Sequence, residues 1–262
     1  MKKVSKFRRT LVLASLMAAT GLTAFAQSTV KLTLGHGAAP GNPRHEASVK
    51  FADLVKAKTN GRIEIQVAHS AQLGDDAAMV TAVRTGALDI TANSQGAVAN
   101  AVPEYAAYGM PFMFSSPANA FKLLDGPLGK ELAEKTQQKG MIVLGYWDNG
   151  IRHMTNSKLP IRKVEDMKGL KMRTPPDAVL VDIMQALGSD PQQIKFAELY
   201  VALQQGVVDG QENPLVNIHA SKLYEVQKHL ALTSHMFQMT PLLMSKRTWD
   251  RIAEADRKVL LD

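Results

Sequence analysis

Two arginines, a run of amides and a repeated asparagine are the residues of this chain whose types and spacing point to chemistry. Arg173 stands in Leu170-Lys171-Met172-Arg173-Thr174-Pro175-Pro176, at the end of a short alternating stretch cut off by two prolines. A guanidinium pinned in this way keeps little rotational freedom, and its fork grips a carboxylate through two parallel charge-assisted hydrogen bonds. Arg152, just past Trp147-Asp148-Asn149-Gly150, offers a second cation. Gln211, Glu212 and Asn213 lie between Gly210 and Pro214. We expect them in a loop beyond the C-terminal end of a short β-type run begun by Val207 and Val208, where open α/β sheets place their ligand crevices. With Asn93 and Asn213, the two arginines describe an anion-binding cleft; either arginine alone is as readily a surface ion pair.

The elements that must position these residues repeat. Ala82 to Asp89 and Ala202 to Asp209 share one sense, a helix end, a glycine, two apolar residues and an aspartate, and each aspartate is followed four residues later by an asparagine, Asn93 and Asn213. We read two related helix-to-strand units, one per lobe, each offering an amide to a shared cleft. Val30, Leu32 and Leu34 alternate as a strand, Asn42-Pro43 opens a helix that stops at Asn60-Gly61, and Ile63, Ile65 and Val67 alternate as a second strand, parallel to the first by the crossover rule. Gly74-Asp75-Asp76 opens the helix ending at Gly86, and Leu88 to Thr91 is strand-like. Most of the aromatic and methionine side chains between Pro103 and Pro117 are expected in the core between lobes. Further on, the pattern predicts a helix over 118–139, a strand over 141–146 and a turn at Trp147-Asp148-Asn149-Gly150 where the chain crosses between lobes. Asp177 caps a helix ending at Gly188; helices over 218–228 and 249–261 flank a strand over 242–245. The fold class is therefore α/β.

Enzyme chemistry finds no centre. His45-Glu46 begins like a zinc helix, but Val49 stands where the second histidine belongs. The remaining histidines lack ligand spacing, so no metal site is expected. Gly126-Pro127-Leu128-Gly129-Lys130 lacks the spacing of a phosphate loop, no nucleophile elbow occurs, and the chain has no cysteine. No cofactor is expected either.

The first 26 residues read as a secretory leader. A basic segment holding Lys2, Lys3, Lys6, Arg8 and Arg9 precedes an apolar run and Ala24-Phe25-Ala26, a small-residue cleavage pattern. Thr10 and Leu11 depart from the usual continuation of a twin-arginine signal, so general secretion is the expected route. Setting those five cations aside lowers the formal net charge from +7 to +2. That removes the dense basic character a nucleic-acid partner requires.

GYWDNGIRHMTNSKLPIRKVEDMKGLKMRTPP, together with ELYVALQQGVVDGQENP, closely resembles the substrate-binding proteins of tripartite ATP-independent periplasmic (TRAP) transporters, the C4-dicarboxylate-binding DctP-like family. LGHGAAPGNPRH, AQLGDD, LDGPLGKEL and LLMSKRTWD extend the similarity from Lys31 to the end. The resemblance implies a two-lobed periplasmic binding protein fold, type II-like, with the ligand cleft between the lobes. Residues 27–150 with a return segment 239–262 would form lobe I and 151–238 lobe II. It implies capture of a small organic acid in the periplasm and its delivery to a TRAP membrane permease, with no membrane span in the mature chain. Carried over residue by residue, the carboxylate-clamping arginine matches Arg173, an auxiliary arginine Arg152, the cleft amide Asn213 and an apolar wall residue Phe196. Asn93 falls at a position that varies with ligand, and His36 and Trp147 are further candidates from neighbouring strand ends. The resemblance also implies C-terminal helices bracing both lobes beyond Asp262, where this sequence stops. A sensor module of the same fold and, in another class, an exported enzyme acting on organic acids are the alternative readings.

Overall fold

The computed structural model describes residues 29–262, so the expected leader lies outside the described residues. Val30–Gly35 (β1) buries Leu32 and Leu34 at alternate positions. Asn42 caps Pro43–Lys58 (α1), its side chain accepting the Arg44 N–H, and Ile63–Ala68 (β2) returns parallel to β1 as the crossover requires. Asp75 accepts the Ala78 N–H to cap Asp76–Thr85 (α2), which closes at Gly86 with φ of 84°. The next strand is Ile90–Ala92 (β3), shifted toward the C-terminus from the run expected at Leu88.

Gln95–Ala99 (α3) leads into the aromatic stretch. There Tyr105 and Phe114 are buried, whereas Met110, Phe112 and Met113 are exposed, against the expectation that most would be core. The single helix expected over 118–139 is two, Pro117–Leu124 (α4) and Pro127–Gln138 (α5). Pro127 has no N–H to continue the first helix and instead starts the second.

Met141–Asn156 (β4) is one strand of 16 residues. The turn expected at Trp147 to Gly150 is absent. Gly150, with φ of 115°, sits at a register shift against a later strand, and the bulge bends the chain without reversing it. Lys171–Thr174 (β5), Ala178–Ala186 (α6), Asp190–Gln193 (β6), Leu199–Gln204 (α7) and Gly210–Pro214 (β7) come next. The residues expected in a loop beyond a strand are therefore themselves the strand: Gln211, Glu212 and Asn213 lie in β7 and are buried. Leu215–Ala220 (α8) is shorter than expected, His229–Ser245 (β8) is 17 residues rather than a brief return, and Lys246–Arg251 (α9) and Glu254–Leu261 (α10) replace one helix.

All eight strands form one sheet in the order β2-β1-β3-β8-β4-β7-β5-β6. The long strands β8 and β4 pair antiparallel along the centre; β1, β2 and β3 on one side and β5, β6 and β7 on the other are parallel sets. Each set has its own core. Leu34, Ile63, Ile90 and Val55 pack with Leu242, Met244 and Leu260 on one face of the first set, and Met79, Val83, Tyr105 and Phe237 on the other. Met154, Met167, Met172 and Met184 pack in the second set, as do Leu199, Leu203 and Ile218. The sheet is thus two lobes joined by the paired strands β4 and β8, and the cleft lies where the parallel strands end.

Candidate functional site

Arg173 leaves β5 two residues before Pro175 and is 1% exposed. Its Nε donates to the Ile194 carbonyl at 2.8 Å, and its guanidinium carbon lies 5.9 Å from the centre of the Phe196 ring. Among the described residues no carboxylate oxygen lies within 4.0 Å of it. Burial pushes its pKa down to about 10. Among the described residues its two terminal nitrogens have no hydrogen-bond partner.

Arg152 is 2% exposed and fully engaged. Its Nε and Nη2 grip both carboxylate oxygens of Glu212, Nη2 also donates to the Glu212 carbonyl at 2.8 Å, and Nη1 donates to Gln238 Oε1 at 2.7 Å. Burial alone would raise the Glu212 pKa, but Arg152 and His235, whose Nε2 lies 3.4 Å away, hold it below the usual value. From this pair an amide network crosses the cleft. Gln238 donates to Asp177 Oδ2 and accepts from Asn149; Asn217 donates to Asn149 and accepts from Asn42 at 2.8 Å; Arg44 donates to Asn149 at 3.2 Å. On the lobe I side, Gly96 gives Asp177 room, since a Cβ there would stand 2.1 Å from Asp177 Oδ2. Asn100 reaches the Pro176 carbonyl, and Lys195 pairs with Asp75 at 3.1 Å. The lobes are drawn together.

The cleft has two adjoining parts. An inner recess of about 30 Å³ is lined by Ala38, Arg44, Asp76, Ser94, Asn149, Arg152, Arg173, Pro175, Phe196, Asn213, Asn217 and Gln238. An outer chamber of about 300 Å³ shares Asp76, Ser94, Arg173, Pro175 and Phe196 with it and adds Gly37, Asp75, Lys195 and Glu198 among others. Of the residues singled out in the sequence, Arg173, Arg152, Asn213 and Phe196 meet in the recess.

The other three do not line it. Asn93 is fully buried; its Nδ2 donates to Thr91 Oγ1 at 2.6 Å and to the Asp76 carbonyl at 3.2 Å, so it braces the start of α2 from behind. His36 accepts the Ala38 N–H at Nδ1 and faces His45 at Nε2, 3.3 Å away. Trp147 packs against the Leu32, Leu34 and Leu242 core and lines one hollow on lobe I and another together with Arg44, Asn149, Val216 and Asn217. It does not reach the recess. The residues that sequence reasoning misses are Arg44, Asp76, Ser94, Asn149, Asn217 and Gln238. The sequence marks Asp76 only as a partner of the helix dipole; Arg44 comes directly after the Asn42-Pro43 cap, which is the signal that its side chain is held in place.

Among the described residues no helix is long and apolar enough to cross a membrane, and no cluster of potential metal ligands occurs. Residues 34–262 match the family 7 bacterial extracellular solute-binding proteins, DctP. A Sinorhizobium fredii protein is 58% identical over 221 residues, 84% of this chain; the chain spans 41% of that relative's length. A TRAP periplasmic solute binding protein from Polaromonas sp. JS666, solved bound to D-erythronate, is 40% identical with a TM-score of 0.86, covering 88% of this chain and 77% of its own. The sugar acid binding protein DctPAm from Advenella mimigardefordensis, solved with galactonate, is 35% identical with a TM-score of 0.86, covering 89% and 76%. The fold, the cleft between its lobes and the match along nearly all the described residues agree, and the chain belongs to the DctP family of bacterial extracellular solute-binding proteins.

Proposed function

We propose that this protein captures a small organic acid in the periplasm and hands it to the membrane permease of a TRAP transporter, binding its ligand without chemical change. The observation that carries the reading is Arg173, a buried guanidinium with no carboxylate of its own. A ligand carboxylate that received two hydrogen bonds from its terminal nitrogens would recover in the cleft what both charges lose on leaving water. Arg152, Asn213 and Phe196 complete the seat, with Arg152 acting through its fixed position rather than as a free charge; Asn93, His36 and Trp147 act behind it or elsewhere in lobe I.

Residues 27–150 and 239–262 form the first lobe in this reading and 151–238 the second; separate apolar cores support the division, with Phe237, just short of the boundary, packing in the first. The ligand bridges them and shifts an open–closed equilibrium toward the closed form that the permease recognises. Export through the N-terminal leader is what the basic and apolar pattern of residues 1–26 supports.

Thermal unfolding against carboxylates, amino acids and neutral sugars tests the reading. A ligand that binds only the folded state raises the melting temperature with the logarithm of its concentration over Kd. A rise with one class of organic acid, lost in Arg173→Ala, is the expected outcome; a rise only with neutral sugars would overturn it.

A further inference from the structure

Gly96 is the second residue of α3, and its own backbone gives no reason for a glycine. Its φ is not positive, and glycine is less favourable than alanine in a helix by up to about 1 kcal/mol. The reason lies across the cleft. The three heavy atoms nearest to where a Cβ would stand are Oδ2, Cγ and Cβ of Asp177, the last at 2.6 Å, and all belong to the opposite lobe. A side chain at position 96 and the observed approach of the lobes therefore exclude each other.

Asp177 is buried. Its Oδ1 accepts the N–H groups of Val179 at 3.0 Å and Leu180 at 3.3 Å, capping α6, and its Oδ2 accepts from Gln238 Nε2 at 3.1 Å. Gln238 is held in that orientation because its Oε1 accepts from Arg152 and Asn149. Among the described residues no basic side chain pairs with Asp177. Covering this carboxylate with lobe I thus costs desolvation that the contact itself does not return, so the contact fixes where closure ends rather than driving it. Only Thr174, Pro175 and Pro176 separate Asp177 from Arg173. The prolines lock φ, and the Asp177 N–H donates back to the Pro175 carbonyl at 2.8 Å, which makes the segment a short stiff strut. Beside it, Asn100 of lobe I reaches the Pro176 carbonyl at 3.4 Å. How deep Asp177 seats at Gly96 decides how far the Arg173 guanidinium stands from the lobe I wall.

Resting on the capture reading above, we infer that Gly96 and Asp177 are positioning residues for the bound acid. As the lobes close, Asp177 seats on the bare backbone of Gly96, and the Pro175-Pro176 strut carries Arg173 to the depth at which it meets the carboxylate. Neither residue lines the recess or the outer chamber. They act on affinity by setting the fraction of molecules that reach the closed geometry.

Calorimetric titration with D-galactonate, succinate and pyruvate tests the assignment on four proteins, the unaltered chain, Gly96→Ala, Asp177→Gly and the double variant. Asp177→Gly removes all three atoms that a Cβ at position 96 would meet, and glycine is a tolerated helix cap. Gly96→Ala weakens binding of the acid by at least about tenfold in the unaltered background. Added to Asp177→Gly it changes affinity by less than about twofold, because the side chain it would strike is gone. Small-angle scattering shows the radius of gyration falling on binding in the unaltered protein and not in Gly96→Ala at the same acid concentration. An equal loss of affinity in both backgrounds, or a Gly96→Ala chain that does not fold, places the fault within lobe I and overturns the positioning roles; so does the absence of any loss. The receptor reading survives all three. Binding of none of the three acids by the unaltered protein overturns the capture reading and the positioning roles with it.

Discussion

In the first lobe Asp89 accepts the Thr33 N–H at 2.9 Å; in the second Asp209 accepts the Lys171 N–H at 3.0 Å. The match continues in register. Leu34 pairs with Ile90 and Gly35 with Thr91, as Met172 pairs with Gly210 and Arg173 with Gln211. Gly86 and Gly206 close the preceding helices at φ of 84° and 68°, and Asn93 and Asn213 each donate at 2.6 Å to the side chain two residues back. Two copies of one strand-helix-strand-helix-strand plan thus face each other across β4 and β8, and they differ in what the strand ends carry. Where the second copy has Arg173 the first has Gly35, whose missing side chain is replaced by Met79, 2.8 Å from where a Cβ would stand. The second strand set brings Arg173 and Glu212 to the cleft; at the matching positions the first brings Gly35 and Ala92. Position comes from the repeated scaffold, and the arginine proposed as the anchor stands on one copy only.

The largest effect comes from that asymmetry. Arg173→Ala weakens binding of the organic acid by about 2–5 kcal/mol, roughly 30-fold to several thousand-fold, because a carboxylate is left buried without its partner. Gly35→Ala at the matching position lowers the melting temperature through the clash with Met79 and leaves Kd nearly unchanged. Titration calorimetry on both variants measures the contrast, and equal effects on Kd would dissolve it.

Next in size is the ion pair beside the anchor. Glu212→Gln leaves Arg152 buried without its countercharge and destabilises the fold by about 3–5 kcal/mol in urea unfolding. Because folding holds the Glu212 pKa down, its stabilising share is complete above the unfolded value near 4.5 and is lost as the pH falls through the folded value. Ala92, at the matching position in the first set, carries no charge and contributes nothing to that acid limb.

This pairing explains what the sequence can and cannot disclose. The repeat is legible because helix closure at Gly86 and Gly206 needs a residue that accepts positive φ, and glycine followed by two apolar residues and aspartate is a local pattern. Arg173 is legible for the same reason, pinned by Pro175 and Pro176. Strand length is not. Nothing local in Trp147-Asp148-Asn149-Gly150 separates a turn from a bulge; that is settled by β8, about 90 residues away, which pairs on both sides of Gly150. Gln211-Glu212-Asn213 reads as a loop because three consecutive polar residues in a buried strand are rare unless each has a partner. Their partners, Thr155, Arg152 and Asn217, come from other elements. Arg44 and Asp76 join the site only when α1 and α2 dock beside it.

The two asparagines carry the same asymmetry at smaller scale. Asn213 lines the recess and Asn93 lies behind it, although both bond their strand in the same way. Asn213→Ala therefore raises Kd several-fold, on the order of 1 kcal/mol for one lost hydrogen bond. Asn93→Ala changes Kd less and lowers the urea midpoint instead, since its amide holds the first residue of α2.

The weakest contrast separates the lobes by pH. His36, next after Gly35, is buried in the first lobe, and burial, followed by Arg44, His45 and His69, lowers its pKa to about 3. Its counterpart next after Arg173 is Thr174, which does not titrate. A histidine that stays neutral when folded and takes a proton near pH 6.5 when unfolded makes the unfolded state bind more protons between those values. Stability thus rises with pH from about 3 to 6.5 and is complete above that. Replacing His36 with asparagine flattens the dependence of the urea midpoint on pH by up to one proton. Above about pH 5.5 Glu212 of the second lobe is ionised in both the folded and the unfolded state and adds nothing to that slope. His153, also lowered by burial, titrates in the same direction, and Asp148 and Asp177, raised by burial, act in the opposite one, so the slope lost in His36→Asn, rather than the slope that survives, measures the His36 share. An unchanged slope there would place the acid sensitivity at groups other than His36.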